Sequence, residues 1–125
     1  MHSTLRLPVD DRAPGLARSL VVGDLSQVLS GDCFDTLCLL ITEVVTNSLR
    51  HANFGANDHI VVQVKVSRDQ VRASVCDPGG PGRPELSKPG VWSDGGRGLV
   101  LVDELADRWG VSTGDGTCVW FELDA

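Results

Sequence analysis

The succession of helical and strand-like patterns in this 125-residue chain predicts an α+β two-layer sandwich, with helices on one face of a mixed, mostly antiparallel sheet. Two observations carry that prediction. Strand-like alternation comes in pairs joined by short turns, 59–66 with 70–76 and 109–112 with 117–123, so strands group in hairpins instead of alternating singly with helices. Helical periodicity is confined to three segments, two ahead of the first hairpin and one between the hairpins.

Leu5-Arg6-Leu7 begins a short strand that stops at Pro8. A first helix is expected over 12–29, with Asp10 or Asp11 near its cap, and Leu16, Leu20, Val21, Leu25 and Val28 as its apolar positions. Gly23 weakens it. Gly31-Asp32 punctuates the chain, Asp32 suits an N-cap, and a second helix runs over 33–52. The segment 53–58, Asn-Phe-Gly-Ala-Asn-Asp, is a loop by composition. The first hairpin turns at Ser67-Arg68-Asp69. Residues 78–96 hold four prolines and six glycines, and an irregular stretch of that length inside a compact domain usually serves as a functional lid or binding loop. A third helix is expected over 97–108, on Leu99, Val100, Val102, Leu105 and Ala106. Gly114-Asp115-Gly116 forms the turn of the last hairpin.

The length suits one domain, residues 1–125, able to bury about two-thirds of its unfolded surface. No apolar run approaches the roughly 20 residues that span a bilayer, and the first residues alternate like a strand instead of forming a signal peptide, so the expected compartment is the cytoplasm with no membrane contact. A net charge of −6 and the lack of any basic stripe exclude an extended nucleic-acid interface. Local N–H groups and one or two arginines still suffice for a mononucleotide. The four cysteines, Cys33, Cys38, Cys76 and Cys118, have no metal-site spacing with any histidine and read as buried, reduced thiols without chemistry.

Chemistry concentrates in four places. Glu43, Asn47 and His51 recur every four residues in the second helix, and at about 100° per residue they share one face. A carboxylate there can take a proton from an attacking hydroxyl, and an amide oxygen is a suitable hard ligand for Mg²⁺. Asp77 ends a strand and enters Pro78-Gly79-Gly80-Pro81-Gly82, where it can accept from an exocyclic amino group such as adenine presents. Gly95-Gly96-Arg97-Gly98-Leu99 opens the third helix, where free N–H groups and the dipole favour an anion and Arg97 adds a charged donor. Thr117 follows the last glycine turn. Each has an ordinary structural alternative: a polar helix face, a turn, a lead-in to a helix, a strand threonine. The chain contains no G-x-x-x-x-G-K-[ST] loop, and its glycines lack the spacing of a dinucleotide fingerprint.

In this order, Glu-x-x-x-Asn on a helix, Asp-x-Gly after a strand, a glycine-rich lid into a helix and Gly-Thr before a strand, the elements resemble the GHKL ATPase superfamily with its Bergerat nucleotide-binding fold, over nearly the whole chain. Within it the chain looks most like the single-domain proteins of the anti-sigma factor serine/threonine kinase type, through residues 42–52, 95–103 and 105–110. The resemblance implies an ATP-binding protein kinase with Mg²⁺. Glu43 corresponds to the general base, Asn47 to the Mg²⁺ ligand, Asp77 to the adenine-recognising acid and Gly79 to the glycine that lets the loop pass the base. Gly95, Gly96, Arg97, Gly98 and Leu99 match the phosphate-binding lid and helix start, and Thr117 the threonine supporting Asp77. Arg50 and His51 lie beside the same pocket as candidate phosphate contacts. The family commonly carries Asp-x-Gly-x-Gly, whereas here the second glycine is Gly80, one place early, or Gly82, one place late. The implied partners are an anti-sigma factor antagonist as phosphorylation substrate and a sigma factor as the regulated protein; a homodimer is left open. Two other readings stand beside this one: a catalytically weak ATP-sensing module that switches protein partners, and a histidine-kinase-like catalytic domain, against which the absence of a dimerisation helix pair and of a separate acceptor histidine counts.

Overall fold

The computed structural model of the chain describes residues 2–29, 31–52, 54–55, 58–79, 97–114 and 116–124. Their elements run β1 (His2–Leu7), α1 (Ala13–Leu25), α2 (Gly31–His51), β2 (Ile60–Val66), β3 (Gln70–Asp77), α3 (Arg97–Leu105), β4 (Arg108–Gly114) and β5 (Gly116–Asp124). The five strands form one sheet in the order β1-β2-β3-β5-β4. All four pairings are antiparallel, narrower than the mixed, mostly antiparallel sheet expected. The helices gather on one face, α2 packing against β3 and β5, α1 against α2 and β1, and α3 against α2.

Alternation decides which strand residues enter the core. Val62 and Val64 of β2, Val71, Ala73 and Val75 of β3, and Val119, Phe121 and Leu123 of β5 are buried beneath the helices. α2 answers with Leu37, Leu40, Ile41, Val44 and Val45, at spacings of three and four that make one broad apolar face. Hydroxyls within this helix are satisfied internally: Thr42 Oγ1 donates to the Cys38 carbonyl and Thr46 Oγ1 to the Thr42 carbonyl, each at 2.8 Å. The polar content of α2 is therefore compatible with burial.

Several local expectations are corrected. α1 ends at Leu25 instead of 29 and buries Ala13, Ala17, Val21 and Leu25, a strict four-residue stripe whose alanines allow close packing, while Leu16 and Val28 are 41% and 50% exposed. Its entry is organised by Asp10, which accepts the Arg12 N–H at 2.9 Å and pairs with the Arg12 guanidinium. Asp32 is not a cap, because α2 starts one residue earlier at Gly31 (φ +63°) and places Asp32 in the first turn, where its charge suits the dipole. α3 stops at Leu105, the Ala106 N–H bonding back to Val102, which frees residues 108 onward for a longer β4.

The largest correction concerns the cysteines. Cys33 and Cys38 are free, half-buried, and have thiols held above the usual range by burial. Cys76 and Cys118 are not reduced: they face each other across β3 and β5, Cα atoms 4.0 Å apart, and are joined in a disulfide. Spacing 42 residues apart in sequence gave no hint of this, because only strand register makes them neighbours.

On the face away from the helices, Arg72 lies 4.3 Å from the Trp120 ring centroid and pairs with Glu122, which also accepts from Arg108 at 2.7 Å. Hydrogen bonds from Arg108 and Arg72 hold the Glu122 carboxyl below its ordinary range. A depressed folded pKa stabilises the fold above the unfolded value and the gain disappears as pH falls through the folded one. Glu122→Gln is therefore expected to lower Tm by about 2–4 °C at neutral pH. The gap from the parent protein should close in thermal melts taken below the usual carboxylate range.

Candidate functional site

The site is built where α2 crosses the β3–β5 ladder. Asn47 lies at the margin of the buried arc of α2 and is 8% exposed, and Glu43, one turn earlier and further round the same edge, is half-buried. The Asn47 Oδ1 atom is buried and has no hydrogen-bond partner among the described residues. Leaving such an acceptor unsatisfied costs about 1–3 kcal/mol, which makes Asn47 Oδ1 a candidate ligand atom. A neutral oxygen on a rigid helix is a hard donor of the kind Mg²⁺ accepts alongside phosphate oxygens and water, so the residues present fit that ion.

Asp77 and Thr117 meet across the sheet as register partners at the ends of β3 and β5. Both sit on the alternation that faces the helices, Thr117 being 8% exposed. Asp77 Oδ1 accepts the Gly79 N–H at 2.7 Å, which sets the carboxylate within a tight turn. Gly79 holds φ +87°, and a β-carbon there would stand 3.4 Å from Thr117 Oγ1. Glycine is thus required by conformation, and it keeps the space over Thr117 open.

Gly116 enters the sequence reading only through the last turn and the Gly-Thr step, with no role of its own. It has φ +124°, and a β-carbon would collide with the Asp77 carbonyl oxygen. Its role is to let β5 approach the backbone beside Asp77. Neither signal shows the contact with Asp77, since a glycine pair at a turn reads equally as a plain hairpin.

The remaining candidates divide by position. Arg50 and His51 close α2 on the turn after Asn47, Arg50 being exposed. Arg97, Gly98 and Leu99 open α3, and Leu99 is fully buried, anchoring the helix start in the core. Leu99 therefore supports the helix from within. Gly82, Gly95 and Gly96, with most of the expected lid over 78–96, lie outside the described residues. Among the described residues no group of three His, Cys, Asp or Glu side chains could hold a metal, and no helix is long and apolar enough to cross a membrane.

The fold thus sets an acid at one strand end of an antiparallel sheet, beneath a helix that carries a carboxylate and an amide one turn apart. The chain belongs to the histidine kinase-like ATPase domain family, which matches residues 10–123. Membership implies use of ATP. It is 30% identical over 122 residues to the serine-protein kinase RsbW of Listeria monocytogenes serotype 4a, an alignment covering 86% of this chain and 78% of that protein. The same figures hold for the serine-protein kinase RsbW of Listeria innocua.

Gly116→Ala is expected to destabilise the fold by about 1–3 kcal/mol, since alanine rarely adopts the required φ and meets backbone. Denaturant unfolding with a lowered midpoint and unchanged slope checks it.

Proposed function

We propose that this protein is an ATP-dependent serine/threonine kinase of the anti-sigma factor type, which phosphorylates an anti-sigma factor antagonist and thereby governs a sigma factor. The observation that carries the reading is the buried Asn47 Oδ1, without a partner among the described residues, one helical turn from a half-buried carboxylate at Glu43. The similarity to serine-protein kinases supports the choice of a protein hydroxyl as acceptor.

Residues 1–125 act as one ATP-binding domain, with 78–96 assigned the lid on its sequence. Mg-ATP, when bound, supplies the transferable phosphoryl group and the charge neutralisation that phosphoryl transfer requires. Asp77 Oδ1 is occupied by the Gly79 N–H, so Oδ2 is the oxygen assigned to the adenine amino group. Thr117, its register partner, flanks the base. Asn47 holds the cation through Oδ1, and the N-terminal turn of α3, with Arg97, Gly98 and the glycines before it, takes the phosphates. Arg50 and His51 are assigned to the phosphate side of the pocket. Glu43 accepts the proton of the attacking hydroxyl. The protein is placed in the cytoplasm, where its proposed partners reside.

Phosphate transfer from Mg-ATP to purified antagonist proteins checks the reading. Glu43→Ala should lower transfer by about 10²–10⁴-fold while leaving the Mg-ATP dissociation constant nearly unchanged. Normal ATP-dependent partner capture by that variant, with no transfer by the parent protein, would establish a nucleotide-sensing module instead. In calorimetric titrations ATP should bind at least about tenfold more tightly than GTP, because guanine offers an acceptor where Asp77 requires a donor. Equal affinities would overturn the role given to Asp77.

A further inference from the structure

The Cys76–Cys118 bond lies one residue from both Asp77 and Thr117, on the opposite face of the same two strands. Val75 and Val119 before and after the pair are buried under the helices, whereas both cysteines are half-exposed on the sheet's outer face. The bond therefore lies outside the core, on the face that the helices leave uncovered.

Its position in the ladder is unusual. β2 accompanies β3 only as far as Cys76, which pairs with Val61. Asp77 is held by β5 alone. The next residue, Pro78, has no N–H to donate, so nothing in the ladder extends beyond that pair. The disulfide is the last covalent tie before the acid and its Gly79 turn. It also closes the loop that carries all of α3.

We propose that Cys76 and Cys118 are a reversible dithiol–disulfide couple that sets the order of the Asp77–Gly79 corner and, through it, the affinity for nucleotide; the second half rests on the function proposed above. The oxidised couple holds the end of β3 against β5 and presents Asp77 in place. Reduction leaves one ladder pair at a strand end, where fraying is expected. The reaction partner is a low-molecular-weight thiol and its disulfide. One cysteine thiolate attacks the small disulfide and expels one thiolate. The other cysteine then attacks the protein sulfur of the mixed disulfide and expels the second. Two protein thiols lose two electrons and two protons, and one small disulfide becomes two small thiols. Cys33 and Cys38 are free thiols on α2, away from this corner, and burial holds both above the usual thiol range.

The full chain, equilibrated in glutathione buffers of opposite redox poise and mapped by alkylation and peptide mass, is titrated with Mg-ATP beside the Cys76→Ser/Cys118→Ser double variant. The oxidised protein should bind about three- to tenfold more tightly than the reduced one, as the competent corner falls to a minor share of the population. The double variant should match the reduced protein in both buffers. Amide exchange at Asp77, Gly79 and Thr117, measured without nucleotide, should be slower in the oxidised form. Equal affinities and equal exchange in samples whose bonding has been mapped, or no 76–118 bond under oxidising poise, overturn the proposal. If neither form binds Mg-ATP, the nucleotide reading fails, and the exchange comparison alone decides whether the couple orders the corner.

Discussion

The antiparallel register of β3 against β5 is the constraint on which the rest of this molecule depends. It sets Asp77 opposite Thr117 on the helix-facing side and Cys76 opposite Cys118 on the outer side. A slip of one residue would exchange these faces, carrying the acid to solvent and the cysteines into the core. The register is specified by the buried run Val71, Ala73 and Val75 against Val119, Phe121 and Leu123, and by the close backbone approach that Gly116 permits beside Asp77. Core packing and site geometry are here the same requirement.

Over this ladder α2 buries a polar atom it does not satisfy. Leu40, Ile41, Val44 and Val45 dock the helix, and that docking draws Asn47 into the margin of the core with its Oδ1 unpartnered. Thr42 and Thr46, on the same helix, return their hydroxyls to backbone carbonyls. The contrast separates polar atoms satisfied within α2 from one that has no partner among the described residues. A neutral helix edge beside a half-buried carboxylate suits a cation that arrives with phosphates better than a resident metal site, which would need several protein ligands.

Much of this was legible in the chain. The paired strand patterns gave the sandwich, and the four-residue recurrence of Glu43 and Asn47 gave the helix edge, since both signals are local periodicities. Helix ends were read less well. A helix over 12–29 is too long because Leu16 and Val28 count as core on hydropathy alone, whereas α1 ends at Leu25 and buries Ala13, Ala17, Val21 and Leu25. Asp32 suits a cap by composition, but α2 begins at the glycine before it.

By itself the sequence determined the class of fold, the order of its elements and the residue types available for binding a nucleotide, because these follow from periodicity and from motifs contained within a few turns of chain. Only the tertiary structure decided that Cys76 bonds to Cys118, that Gly116 abuts Asp77 and that Asn47 Oδ1 has no partner among the described residues. Those facts depend on which strand lies beside which and on what a packed helix leaves unsatisfied. Neither is written in local spacing; both arise when distant segments are brought into contact.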